Sequence, residues 1–331
     1  MSTLPPNEVY DMIDVVALGE LLIDFTCTGT DSDGYPAMAA HPGGAPANFL
    51  AALSRFGSKT ALIGKVGADA FGRLLLSTLQ KHGIETRGMV TAPEVFTTLA
   101  FVTLSETGNR EFSFARKPGA DTCLSWEEVD LSLIEEVKVF HFGTLSLTGE
   151  PARLATQNAV AYAKSRNKLI TYDPNLRKPL WSDLEEARRQ LLWGLAQADV
   201  VKISDEEVEF LFGTGPEEGA AYILNNFGVR LVFVTCGAGG CFFRNRNAAG
   251  HIPSLTGIRV LDTTGAGDIF GGSALWKLLQ LGKAPEDLEE GELREIVRFA
   301  CTAAGLSTTR PGGISSVPSY GEVRARVFPS E

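Results

Sequence analysis

From Val15 onward, short apolar runs alternate with longer stretches in which apolar positions recur every three or four residues. The first kind suits strands buried on both faces, the second amphipathic helices. "DVVALGELLIDFT" reads as one strand that begins the core, and "APANFLAALSRFG" as a helix closed by Gly57. "KTALIGKVG" follows as a strand. "DAFGRLLLSTLQKHG" is then a helix with Asp69 as N-cap and Gly83 as its stop. The same alternation continues through "VKVFHFG", "EPARLATQNAVAYAKSR", "KLITYDPN", "SDLEEARRQLLWGLAQ", "ADVVKIS" and "DEEVEFLFG". "GVRLVFVTCG" and "GCFFRNR" read as neighbouring strands, and helices near 267–281 and 291–307 come last. Repeated βα units with continuously apolar strands predict an α/β fold, a mostly parallel sheet covered by helices on both faces.

One segment departs from this. "FTTLAFVTLSETGNREFSFARKPGAD" alternates like an antiparallel hairpin turning at Thr107-Gly108-Asn109, with Phe112 and Phe114 on one face. A hairpin between βα units stands off the main sheet, as edge decoration or as a lid. Arg110, Arg116 and Lys117 clustered there favour the lid. No linker, repeat or low-complexity stretch divides residues 1–331, so one domain is expected.

Composition narrows the class without changing the fold. The 331 residues carry a formal net charge of −10, which argues against a nucleic-acid or anionic-membrane surface. No apolar run reaches the roughly 18–20 residues of a membrane span. The acidic N-terminus has no signal-peptide core. Five scattered cysteines form no C-x-x-C pair, so a reduced, cytoplasmic protein without structural zinc is expected.

The chemistry concentrates in "VLDTTGAGDIFGG". A short strand before the glycines and a helix after them would aim the amides of Gly265, Ala266 and Gly267 at one point, with the positive helix end behind. Such a turn cradles an anion, and Asp268 stands inside it. An ordinary first-turn acid is one reading. A dinucleotide motif is another, but the spacing to Gly271 is one residue too long and a carboxylate would face a pyrophosphate. The third makes Asp268 a general base: the amides hold a phosphoryl group while the acid deprotonates the attacking hydroxyl. That reading requires Asp268 to reach a crevice. No P-loop G-x-x-x-x-G-K-[ST] is present. Asp24 in "GELLIDF" and Asn48 in "HPGGAPANF" are a strand-end acid and a helix-start amide. Together they suit the hydroxyls of a polyol.

"LDTTGAGDIFGG" and "GGAPANFLAALSRFG…IGKVGADAFG" resemble the two motifs of the ribokinase-like (pfkB) carbohydrate kinases, over about Val15 to Pro318. "GELLIDF", "REFSFARKPGAD", "FHFGTLSL" and "YDPNLRKPLW" look most like fructokinases. The resemblance implies a three-layer α/β/α sandwich with a small β-sheet lid, built from about 25–42 and 94–122. It implies an ATP-dependent sugar kinase with Asp268 as base and Gly265, Ala266 and Gly267 as anion hole. Asp24, Gly44 and Asn48 would bind sugar, under lid residues Arg110, Phe112, Phe114 and Arg116. Ribokinases carry lysine at the position of Ala45, so its absence argues against ribose. Arg177 is the implied phosphate clamp, and Ser204, Glu207, Thr235, Gly237 and Gly239 the implied nucleotide-side residues. Ser204-Asp205-Glu206-Glu207 replaces the usual N-x-x-E, so Glu207 is expected to act on Mg²⁺ through water. Asp262, Thr264, Ser307, Gly312 and Ser316 match a monovalent-cation loop, which implies K⁺ activation. A homodimer through the lid is also implied. The alternatives are a kinase for ribose, 2-keto-3-deoxygluconate or a nucleoside, a noncatalytic sugar sensor on the same fold and, last, a dehydrogenase.

Overall fold

The computed structural model describes residues 13–104 and 110–327, with the side chains of residues 104 and 110–112 left aside. In chain order the strands are β1 (Val15–Leu18), β2 (Leu22–Thr30), β3 (Pro36–Gly43), β4 (Thr60–Gly67), β5 (Ile84–Glu85), β6 (Met89–Ala92) and β7 (Leu99–Leu104). They continue as β8 (Arg110–Ala115), β9 (Val139–Gly143), β10 (Leu169–Asp173), β11 (Val200–Ser204), β12 (Leu231–Thr235), β13 (Cys241–Asn245) and β14 (Ala249–Ile252). The large sheet has the order β14-β13-β12-β11-β10-β9-β1-β4-β5, with β6 also paired to β4. Its pairings are parallel except at β12–β13 and β13–β14. A second sheet, β3-β2-β7-β8, holds four strands.

The alternation of side chains along a strand sorts the core into two layers. Val15, Ala17 and Leu62 join the cluster under the helices Ala45–Arg55 and Ala266–Leu281, while Val16, Leu18, Ala61 and Ile63 join the opposite one. Both faces are therefore covered, which is why these strands read as unbroken apolar runs. Asp69 caps its helix by accepting from the amides of Phe71 and Gly72, a contact of the kind worth about 1 kcal/mol. The helices after "KTALIGKVG" and "KLITYDPN", among others, lie where the apolar spacing put them.

Two expectations are corrected. "DVVALGELLIDFT" is not one strand: β1 belongs to the large sheet and β2 to the small one. The break at Gly19–Leu21 is forced by close packing, since a Cβ on Gly19 would lie 2.7 Å from the Pro46 ring. Nor is there a strand before the glycine turn. Val260 and Leu261 are 56% and 57% exposed with no neighbouring strand, and the amides of Leu261 and Asp262 donate to the Thr308 carbonyl instead. The antiparallel β7–β8 pair is present, with Phe114 opposite Ala100 and Phe112 opposite Val102. The turn expected at 107–109 lies outside the described residues.

Candidate active site

Parallel strands end on a common rim, and in an open α/β sheet that rim is where ligands bind. Here Glu20 follows β1, Thr144 follows β9, Asp173 ends β10, Ser204 ends β11 and Thr235 ends β12. The helices Ala45–Arg55 and Ala266–Leu281 start over this rim. A cleft there is lined by Glu20, Phe49, His141, Thr144, Asp173 and Asp268, among others.

The glycine turn is shaped by crowding. Gly265 sits at φ 74°, a conformation that favours glycine, and a Cβ there would lie 3.0 Å from both Asn48 Nδ2 and the Gly313 Cα. A Cβ on Gly267 would lie 2.9 Å from Lys202 Nζ. The turn thus leaves open a space faced by an ammonium group. The Ala266 amide donates to the Thr263 carbonyl at 3.3 Å, so that part of the expected anion hole is partly spent, and the amides of Gly265 and Gly267 stand at the helix start, where intrahelical acceptors run out.

Asp268 is 8% exposed and reaches the cleft. Its Oδ2 accepts from Asn48 Nδ2 at 2.9 Å. Burial pushes its carboxyl above the usual range, against Lys202, the Asn48 hydrogen bond and Arg177, which hold it down. A carboxylate poised this way is a stronger base than an exposed one and remains ionisable because two cations stand near. Asn48 Oδ1 is buried without a partner, as is Asp173 Oδ1. Lys202 Nζ donates to Asp173 Oδ2 at 3.0 Å. Burial lowers the ammonium's pKa, but Asp173, Glu207 and Asp268 outweigh that and keep it raised, hence charged.

On the opposite side stands Asp24, half-buried on β2. Burial pushes it up to about 7, with Arg177 pulling it down and Asp268 and Asp262 pushing it further up. Asp24, Arg177, Asp262 and Asp268 therefore share one neighbourhood. Gly44 is at φ 116°, with the Glu20 carbonyl 2.5 Å from where a Cβ would sit, and Glu20 Oε1 accepts from the Ala45 amide at 2.8 Å. These contacts join "GELL" to "GGAPANF". Glu20 itself is pushed up to about 7 by burial. His141 stacks on Phe49 at 3.8 Å and is driven down to about 3 by burial, with Lys202 adding to it, so it stays neutral.

The nucleotide-side candidates also gather. Ser204 and Thr235 are paired across β11–β12, and Gly237 follows at φ 52°. The Gly239 carbonyl lies 2.8 Å from His251 Nε2. Glu207 makes a capping box with Ser204, accepting from the Ser204 amide at 2.8 Å and, through its other oxygen, from the Leu176 amide at 2.7 Å. It thus fixes the loop carrying Arg177, whose Nη1 donates to the Leu176 carbonyl at 3.3 Å.

In the cation loop, Asp262 Oδ1 accepts from the Thr264 amide at 2.9 Å and hydroxyl at 2.7 Å, and Oδ2 from the Gly312 amide at 2.9 Å. Ser307 and Ser316 turn their hydroxyls to the carbonyls of Ala304 and Gly313. Among the described residues, no group of three His, Cys, Asp or Glu side chains is arranged to hold a metal ion.

The model of the pfkB family carbohydrate kinases matches residues 12–320. The chain belongs to that family. Fructokinase-1 of Zea mays is 42% identical over 313 residues, 93% of this chain and 96% of that protein. The ATP-bound fructokinase of Xylella fastidiosa superposes with a TM-score of 0.87 at 30% identity, over 95% of this chain and 98% of that one. A double mutant of the Vibrio cholerae O395 fructokinase, with fructose, ADP and potassium ion bound, gives a TM-score of 0.84 at 29% identity, over 96% and 99%. As a member of the family, the chain is a phosphotransferase acting on a carbohydrate.

One expected sugar contact is already engaged by protein groups. Arg116, expected to close over the sugar, is buried: its Nε and Nη2 donate to Asp121 Oδ2 at 2.8 and 2.6 Å, Nη1 donates to Thr148 Oγ1 and Nη2 also to the Leu145 carbonyl. Four of its five N–H groups are thus engaged, which leaves at most one Nη1–H for a hydroxyl. The side chains of Arg110 and Phe112 lie outside those described, and Phe114 is half-buried on β8. Sequence reasoning missed Lys202, Asp173 and Glu20. The signal for Lys202 was a lone cation in the apolar "VVKIS".

Proposed function

We propose that this carbohydrate kinase transfers the γ-phosphoryl group of ATP to D-fructose, giving D-fructose 6-phosphate and ADP. The observation carrying the proposal is Asp268 in the cleft, bonded to Asn48 and flanked by the glycine turn, Lys202 and Arg177. The sugar hydroxyl gives its proton to the Asp268 carboxylate as its oxygen bonds to the γ-phosphorus. The bond from phosphorus to the bridging oxygen breaks, and ADP leaves with that oxygen. Little covalent work falls to the protein, so positioning and charge dominate. Gly265, Gly267 and the helix start hold the phosphoryl oxygens, while Lys202 and Arg177 meet their growing charge. Asp24, Gly44 and Asn48 grip the sugar, and Ser204, Thr235, Gly237 and Gly239 line the nucleotide side.

Mg²⁺, when bound, neutralises phosphate charge; Glu207 fits its water shell, and its fixed carboxyl keeps the Arg177 loop in place. Asp262, Thr264, Ser307, Gly312 and Ser316 would hold K⁺, a reading favoured by the Asp262 carboxylate, which draws Thr264 and Gly312 together beside the anion turn. The second sheet acts as the lid, with Phe114 on β8 excluding water, and two copies pair through it. The location proposed is the cytoplasm.

Fructose as the sugar is supported by the fructokinase relatives and by Ala45 in place of a lysine. The test is ADP release from a dialysed enzyme offered fructose, ribose, 2-keto-3-deoxygluconate and nucleosides, with and without K⁺. Fructose should give the highest kcat/KM, and K⁺ should raise it. A clear preference for another sugar overturns the assignment of fructose. Sugar binding with no ADP released from any sugar overturns the kinase reading in favour of a sensor.

A further inference from the structure

We propose that His41 is a sugar-contacting residue that sets specificity on the small-sheet side of the site; the proposal rests on the sugar-kinase reading above. His41 stands directly opposite Asp24 in the antiparallel β2–β3 pair. Opposed residues share a sheet face, so the imidazole and the Asp24 carboxyl look the same way. The Asp24 carboxyl leans along the pair toward Gly43, where a Cβ would meet its Oδ2 at 2.2 Å. The space in front of His41 is thus left to the ring.

The other side of the ring meets the main body. A Cβ on Gly312 would lie 3.4 Å from His41 Nδ1, and one on Gly313 would lie 2.2 Å from Asn48 Oδ1. Asn48 in turn holds Asp268. The wall from Asp268 through Asn48, Gly313 and Gly312 therefore ends on His41, which turns back to Asp24. The side chains of Asp24, Asn48 and Asp268, expected to grip or activate the sugar, lie on this one arc.

His41 is half-buried, so an edge of the ring stays open. Nδ1 stands beside Gly312, so Nε2, across the ring from it, is the nitrogen assigned to the sugar. A neutral imidazole offers one donor and one acceptor, and a hydroxyl can use either. The ligand class is thus a polyhydroxylated sugar.

Steady-state kinetics of the wild type, His41→Ala and His41→Asn, with sugar and ATP varied separately, test this. His41→Ala should raise the sugar KM roughly three- to tenfold, the worth of one neutral hydrogen bond. The loss should fall on KM rather than kcat, with ATP KM and K⁺ dependence unmoved, and His41→Asn should restore part of it. An unchanged sugar KM overturns the proposal. So does a fall in kcat together with a shifted K⁺ dependence, because the ring would then act only through Gly312. If the wild type prefers a sugar other than fructose, that identification falls, and the same comparison on the preferred sugar decides His41. If the wild type turns over no sugar, both readings fall.

Discussion

The two banks of the cleft are built differently. On the main-body bank each chemical group is tied to another: Asp268 to Asn48, Lys202 to Asp173, Glu207 to Ser204 and Leu176, Asp262 to Thr264 and Gly312. These ties come from strand ends and helix starts of one rigid core, and they preorganise the phosphoryl side. On the small-sheet bank, Asp24 and His41 are placed by strand register, with no hydrogen bond to either side chain among the described residues. That sheet has polar groups to offer and fewer contacts that fix them. Preorganised charge suits the transferring phosphoryl, whose demands are the same for every sugar; a looser bank suits the part of the ligand that varies between substrates.

After Asp268 itself, the largest effect on turnover is expected at Gly267. Gly267→Ala would set a methyl 2.9 Å from the present position of Lys202 Nζ. Displacing that ammonium should cut kcat about 10²-fold with little change in the sugar KM. A variant with wild-type kcat would break the contrast between the banks.

Arg116 sharpens the contrast from another direction. Its buried pair with Asp121 ties the base of the small sheet to the loop at Leu145. Arg116→Met leaves the Asp121 carboxylate buried without its cation, although the Thr98 hydroxyl still donates to it, which should cost about 3–5 kcal/mol in urea unfolding. Turnover per folded molecule should stay near wild type. A specific loss of sugar affinity without loss of stability would return Arg116 to the sugar site.

The smallest effect is a pH slope on the small-sheet bank. Burial raises Asp24 to about 7, so it is largely protonated at pH 6 and ionised at pH 8. As a hydroxyl acceptor it works best ionised, and kcat/KM for the sugar should rise roughly tenfold over that interval. Asp24→Asn should be lower and lose that slope. The linked stability runs the other way. The native state holds this proton more tightly than the unfolded chain, so the contribution is present at low pH and fades as pH rises toward 7.

The sequence was readable where local pattern decides. Asp69 before an apolar helix, the β11–β12 alternation and the "GAGD" turn all lie where their spacing placed them. The helix Pro216–Phe227 went unread, although Pro216 at its start, Glu217 and Glu218 in its first turn and Gly228 after it are ordinary helix signals. Other features depend on contacts far apart in sequence. The Asn48–Asp268 bond spans 220 residues, and the split at Gly19 depends on Pro46. Arg116 is a similar case: composition showed a basic cluster, while Asp121, Thr148 and Leu145 take most of what the guanidinium offers.

The account stands most directly on Asp268→Asn, measured by ADP release and by calorimetric sugar binding on one preparation. The amide keeps the shape and can still pair with Asn48, yet it cannot accept the hydroxyl proton. The prediction is a sugar affinity near wild type with kcat reduced about 10²–10⁴-fold. Wild-type turnover in that variant would contradict the assignment of Asp268 as the base.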